Sequence, residues 1–128
     1  MSIARKEAII AMTPAADHSE KEGYFVEIVD EEASVCDSAA DTPHGVILDG
    51  EDTDGQDSIG VCGGNFGPAH VKLSGAVSNG ASLQLHTDGS VITDAGSGAR
   101  VIVAKALEDG VSGDLIEAVI LTPIKYAA

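Results

Sequence analysis

The sequence predicts an all-β domain, a small antiparallel barrel or sandwich with an N-terminal extended arm. Three observations carry this. From Gly23 onward, clusters of turn-forming residues recur about every 8–12 positions. The segments between them alternate apolar and polar residues or are rich in β-branched ones. Nothing after residue 20 has the length and period of a core helix.

The arm comes first. Residues 1–16 combine helix formers, Ala4 to Ala8, with Ile3, Ile9, Ile10 and Met12, yet make no amphipathic stripe, and Pro14 ends the segment. The expected organisation is an arm over 1–20, extended or briefly helical, and a body over 21–128. An arm exposing apolar groups packs against its own body, a sister subunit or a partner. In the body, Tyr24 to Val29 is the first strand and Ser34 to Cys36 a weak second. Gly45 to Leu48 follows the turn at Asp41-Thr42-Pro43. Ser58 to Cys62, Ala69 to Leu73 and Ala81 to His86 each alternate. Thr87-Asp88-Gly89-Ser90 reads as a hairpin turn, Asp-Gly supplying positive φ angles, and Val91 and Ile92 begin the return strand. Arg100 to Ala106 is a β-branched run. Leu115 to Leu121 is the last strand, with Pro123 expected to stop it.

Composition bounds the rest. The chain has 128 residues, enough for one modest core. Hydrophobic residues make up 44%, which separates it from disordered chains. Tyr24, Phe25, Phe66 and Tyr126 are its only aromatics, so the core must be Val, Ile, Leu and Ala, and assembly with other subunits is an expected further source of stability. The net charge is −14, and fourteen acids face one base, Lys21, between Asp17 and Asp57. That argues against nucleic acid and anionic membranes as partners, since both require Lys/Arg surfaces. The run reads as a solvated face, or as a docking surface for a basic partner. No apolar run has signal-peptide or membrane-helix length, so the expected site of synthesis and use is the cytoplasm or a particle assembled there.

The motifs carry little chemistry. Gly60 to Gly67 lacks the glycine spacing and the following helix of a dinucleotide loop, and reads as a turn with Phe66 over a core edge. In Asp49 to Asp57, aligning Gly55 with the glycine of a calcium loop places Asp52 and Asp54 as ligands. The first and twelfth positions would then be Gly50 and Val61, which cannot ligate, so a solvated loop is expected. His18, His44, His70 and His86 are scattered and read as surface residues. Cys36 and Cys62 have no metal-ligand or nucleophile spacing. They read as small buried hydrophobes, their pairing undecided by sequence. No catalytic residue, cofactor or metal is expected, and the chain reads as non-enzymatic.

The second half has an order of pieces. Val71-Lys72-Leu73-Ser74-Gly75-Ala76-Val77 leads to Asn79-Gly80-Ala81-Ser82-Leu83, then to Leu85-His86-Thr87-Asp88-Gly89-Ser90-Val91. Val101 to Glu108 follows a Gly/Ser stretch, and Gly113-Asp114 opens the run from Leu115 to Pro123. With Asp41-Thr42-Pro43-His44-Gly45-Val46, this order over residues 40–123 resembles the capsid decoration, or cement, proteins of tailed bacteriophages. The resemblance implies a β-barrel-like, β-tulip body with no catalytic residues. It also implies a homotrimer on the capsid exterior that binds the major capsid protein and stabilises the expanded head against internal DNA pressure by clamping neighbouring subunits. Ser2, Ile3, Arg5, Lys6, Ile9, Ile10 and Met12 are then the candidate capsid-contact arm. The alternatives are another virion part (a head-fibre base, tail or head-completion subunit) or a small-ligand or carbohydrate-binding β domain, the latter poorly supported by so few aromatics.

Overall fold

The structure, a computed structural model, describes residues 9–64 and 67–127. The regular structure in these residues is all strand. The first five strands are β1 (Ile9–Pro14), β2 (Phe25–Val29), β3 (Glu32–Val35), β4 (Gly45–Asp49) and β5 (Asp57–Val61). They close a barrel in the order β1-β3-β2-β4-β5. Strands β6 (Ala69–Lys72), β7 (Ser82–Leu85), β8 (Val91–Thr93), β9 (Arg100–Ala106) and β10 (Leu115–Tyr126) form a second sheet in the order β6-β10-β9-β7-β8. That sheet curls until its edges approach. Leu73 and Val91 form a parallel bridge, and the Ser74 N–H donates to the Val91 carbonyl at 2.9 Å.

The division expected at residue 20 falls inside the barrel. Ile9 to Met12 pair antiparallel with Gly60 to Asp57, and Thr13 and Pro14 pair in parallel with Glu32 and Ala33. Residues 9–14 are the closing strand; their packing partner is the chain's own body.

Side-chain alternation divides the molecule into two cores. Inside the barrel, Val26, Ala33, Ile47 and Ile59 are fully buried, with Ile10, Met12, Ile28 and Val35 packed around them. The opposite phase faces outward, and where β2 and β4 meet the second sheet it is buried too. Phe25, Cys36 and Val46 join a larger cluster with Val71, Leu83, Leu85, Val103 and Ile116 from the curled sheet. The barrel wall is therefore apolar on both faces where it meets the second sheet, as β4 displays at adjacent positions: Val46 enters the larger core and Ile47 the barrel. Each fully buried Val, Leu or Ile contributes about 1.5–3 kcal/mol, and the aliphatic core expected from composition is the observed one.

Irregularities tune the second sheet. Leu83 faces Ala104 and Gln84 faces Ile102, so Val103 is an extra residue on β9. This bulge turns Val101 and Val103, then Ala104 and Ala106, toward the core in one strand. A second register shift lies on β10 between Ile120 and Ile124. It explains why Pro123, expected to end the strand, does not: the proline occupies the shifted stretch, where its missing N–H removes no ladder bond, and pairing resumes through Tyr126.

The hairpin expected at Thr87 to Ser90 forms, with Gly89 at φ +87° and the His86 N–H donating to the Ser90 carbonyl at 2.9 Å. Its tip docks on the barrel, where the Phe25 N–H donates to the Gly89 carbonyl at 2.8 Å. A Cβ there would lie 2.6 Å from Val35 Cγ1, so only glycine fits both the turn and the seam. Partial burial raises the neighbouring Asp88 carboxyl, but hydrogen bonds from the Ser90 hydroxyl and N–H outweigh it and hold the group below its ordinary range. A second backbone hydrogen bond across the seam is at Gly23, whose carbonyl accepts the Lys72 N–H at 3.0 Å.

Candidate functional site

Of the arm residues singled out by sequence, Ser2, Ile3, Arg5 and Lys6 lie outside the described residues. Ile9 points outward from β1, 39% exposed, while Ile10 and Met12 are half-buried and pack on the barrel core. Phe66 also lies outside the described residues.

Most of the exposed large hydrophobics among the described residues lie at the other end of the chain. Of the large hydrophobics exposed among the described residues, Leu107, Val111, Leu115, Val119, Ile124 and Tyr126 all fall between 107 and 126. The cause is the composition of β10. Ile116, Ala118 and Ile120 fill the inward phase, yet Leu115 and Val119 on the outward phase are apolar too. Register places Lys72 opposite Leu115 and Lys105 opposite Val119, with Glu117 opposite His70 between them. Apolar residues flanked by lysines thus mark the outer face of the second sheet, whereas fourteen acids lie between Asp17 and Asp57, the stretch that supplies β2 to β4 of the barrel. The end of β10 is pinned by Arg100, which donates to Asp94 Oδ1 at 2.5 Å and stacks over the Tyr126 ring 4.2 Å from its centroid.

The acidic loop behaves as expected except at its end. Asp49, Glu51, Asp52 and Asp54 are exposed, and Asp52 Oδ1 accepts the Asp54 N–H at 3.0 Å in a local turn. Asp57 is fully buried. Its Oδ2 accepts from His18 Nδ1 at 2.5 Å and its Oδ1 accepts the Glu51 N–H at 2.9 Å. His18 is 2% exposed, against the expected surface position. The pair joins residues 39 positions apart, and neither carried a local signal of it. It ties the approach to β2 to the loop before β5, aided by the His18 N–H donating to the Glu51 carbonyl at 2.8 Å. His44 and His70 are exposed as expected, and His44 Nδ1 accepts the Ile28 N–H at 3.0 Å.

At the barrel rim the chain gathers Glu27, Cys36 and Asp41, with one donor atom from each within 4.8 Å of the others. Pairing explains the first two. Glu27 faces Ser34 across β2 and β3, which makes Cys36 its diagonal neighbour on the same face. The turn after β3 folds back so that Asp41 Oδ2 accepts the Asp37 and Ser38 N–H groups, each at 3.2 Å. Desolvation, then the nearby Asp41 charge, raise the Glu27 carboxyl above its ordinary range. Burial pushes the Cys36 thiol well up and the Cys62 thiol up to about 12. Both cysteines are free thiols. Beside the rim, a cleft of about 380 Å³ opens between the loop at Asp37 to Ala40 and the Arg100, Lys125 and Tyr126 side of the second sheet.

No family model matches the sequence, and no curated protein matches it. Among solved structures, the chain is similar to the head fiber gp8.5 N base of bacteriophage phi29, with a TM-score of 0.64 and 15% identity over 92% of this chain and 99% of that one. The likeness spans both β units and shows that this all-β arrangement is a fold used by a phage head-fibre base.

Proposed function

We propose that this chain is a structural protein of a tailed-phage virion. In this reading it sits on the capsid exterior as a homotrimer, binds the major capsid protein and stabilises the head by clamping neighbouring capsid subunits. It performs no reaction. The observation that carries the reading is the fold likeness to a phage head-fibre base along nearly the full length of both chains. The surface supports it: an apolar strip with a polar, lysine-flanked rim is the composition of a protein interface, and the acidic barrel on the other side remains solvated. The outer face of β10, around Leu115 and Val119, is the contact surface this assigns within the described residues. The same fold likeness favours a second virion role, the base of a head fibre.

Rate-zonal sedimentation of the native source lysate tests this. The chain is expected to travel with virion-sized particles in copy numbers comparable to the major shell protein, and Val119→Asp is expected to move it to the top of the gradient. A few copies per particle selects the fibre base. Recovery of the parent chain only at the top of the gradient refutes both virion roles.

A further inference from the structure

We infer that Glu27, Cys36 and Asp41 form a binding site for one thiophilic divalent cation, zinc or a close analogue, at the rim of the barrel. The three donors come from β2, from the residue just after β3 and from the following turn, and lie within 4.8 Å of one another. Three atoms mutually within 4.8 Å share a point no more than about 2.8 Å from each, so small side-chain rotations reach the bond lengths of about 2.3 Å to sulfur and about 2.0–2.2 Å to oxygen that zinc takes.

Acidic groups alone on a surface would signify nothing, but here the third donor is a thiol. Cys36 is 1% exposed; its backbone N–H donates to the Phe25 carbonyl at 3.0 Å, while its thiol has no hydrogen-bond partner among the described residues and faces two carboxylates. No salt bridge among the described residues reaches Glu27 or Asp41, so within those residues the two carboxylates share a rim with no cationic side chain paired to either. The Asp37 and Ser38 N–H groups already orient one Asp41 oxygen, as outer-shell donors orient metal ligands. A thiolate with two carboxylates suits zinc, cobalt or cadmium rather than calcium, which takes oxygen ligands only. Three protein ligands leave a fourth, open position for water. Binding replaces the Cys36 S–H bond with a sulfur–metal bond and releases that proton to solvent. The ion would staple β2 to the turn after β3, beside the seam where Gly89 docks.

The test is titration of the reduced, metal-free, untagged full chain with cobalt(II), followed by displacement with zinc(II). The expected result is a thiolate-to-cobalt charge-transfer band that saturates at one equivalent and is bleached by zinc, with zinc raising the melting temperature by about 5 °C or more at saturation. Cys36→Ala should abolish the band. Asp41→Asn keeps an oxygen for the turn and should weaken binding at least about tenfold, as should Glu27→Gln; Cys62→Ala should leave it intact. Absence of the band, its survival in Cys36→Ala, or its loss in Cys62→Ala instead overturns the site. Should Cys36→Ala fail to fold, the half-exposed Glu27→Gln decides, and unchanged affinity there overturns it equally.

Discussion

Position 57 illustrates how a polar residue can define a fold that apolar residues build. Asp57 opens β5 at 0% exposure, and its carboxylate is satisfied by His18 on one oxygen and by the Glu51 N–H on the other. Removing either member of such a pair strands the other, and the loss comes from the uncompensated buried group rather than from the pair's own attraction. His18→Ala and Asp57→Ala are each expected to destabilise the protein by about 3 kcal/mol in urea unfolding. The double variant should cost clearly less than the sum of the two. Strictly additive losses would show that the two side chains do not act as a unit. The sequence offered no route to this pair, because a contact between residues 39 positions apart leaves no spacing to read. The rim cluster was hidden the same way. Cys36 read correctly as buried, but its diagonal to Glu27 exists only once β2 and β3 have paired in register.

Strands were legible in proportion to how one-sided they are. Ala69 to Leu73, Ala81 to His86 and the Asp-Gly hairpin stood out because one face meets a core and the other meets solvent, which writes a period of two into the sequence. The second unit therefore emerged almost strand by strand. β1 did not, since Ile9 on its outward phase is as apolar as Ile10 on its inward phase, and helix formers precede it. The usable signal was Ile10-Met12-Pro14, the alternate positions that turn toward the barrel. This sets the arm experiment. Deleting residues 1–12 removes all four residues that pair with β5 and opens the barrel. It is expected to lower stability by about 3 kcal/mol or more in a circular-dichroism melt. Deleting 1–8 spares every residue that pairs with β5, so loss of particle binding in such a variant, with an unchanged melt, reports on the arm alone. A 1–12 deletion that melts within a degree or two of the full chain would mean that β1 is dispensable to the barrel.

At the scale of the whole molecule, two cores share one wall. The strands β2 and β4 give alternate residues to the barrel interior and to the larger cluster, so neither core can be dismantled while the other keeps its boundary. The curled sheet adds its own ties at Gly23 and Gly89, where backbone hydrogen bonds of 3.0 Å and 2.8 Å cross the seam. Long-range pairing dominates such a topology, which favours slow but cooperative folding. Two β units of this size, if independent, would melt separately. Joined through Phe25, Cys36 and Val46, they are expected to melt as one two-state unit with equal calorimetric and van't Hoff enthalpies. Phe25→Ala, at the centre of the shared wall and 0% exposed, is expected to lower that single transition by about 3–5 kcal/mol in stability without splitting it. Amide exchange should lose protection together in β5 and β9, one strand from each unit. Two resolved transitions in the parent protein, or a Phe25→Ala variant in which the barrel melts while the curled sheet keeps its protection, would mean that the seam is an interface between two separate domains rather than part of a single core.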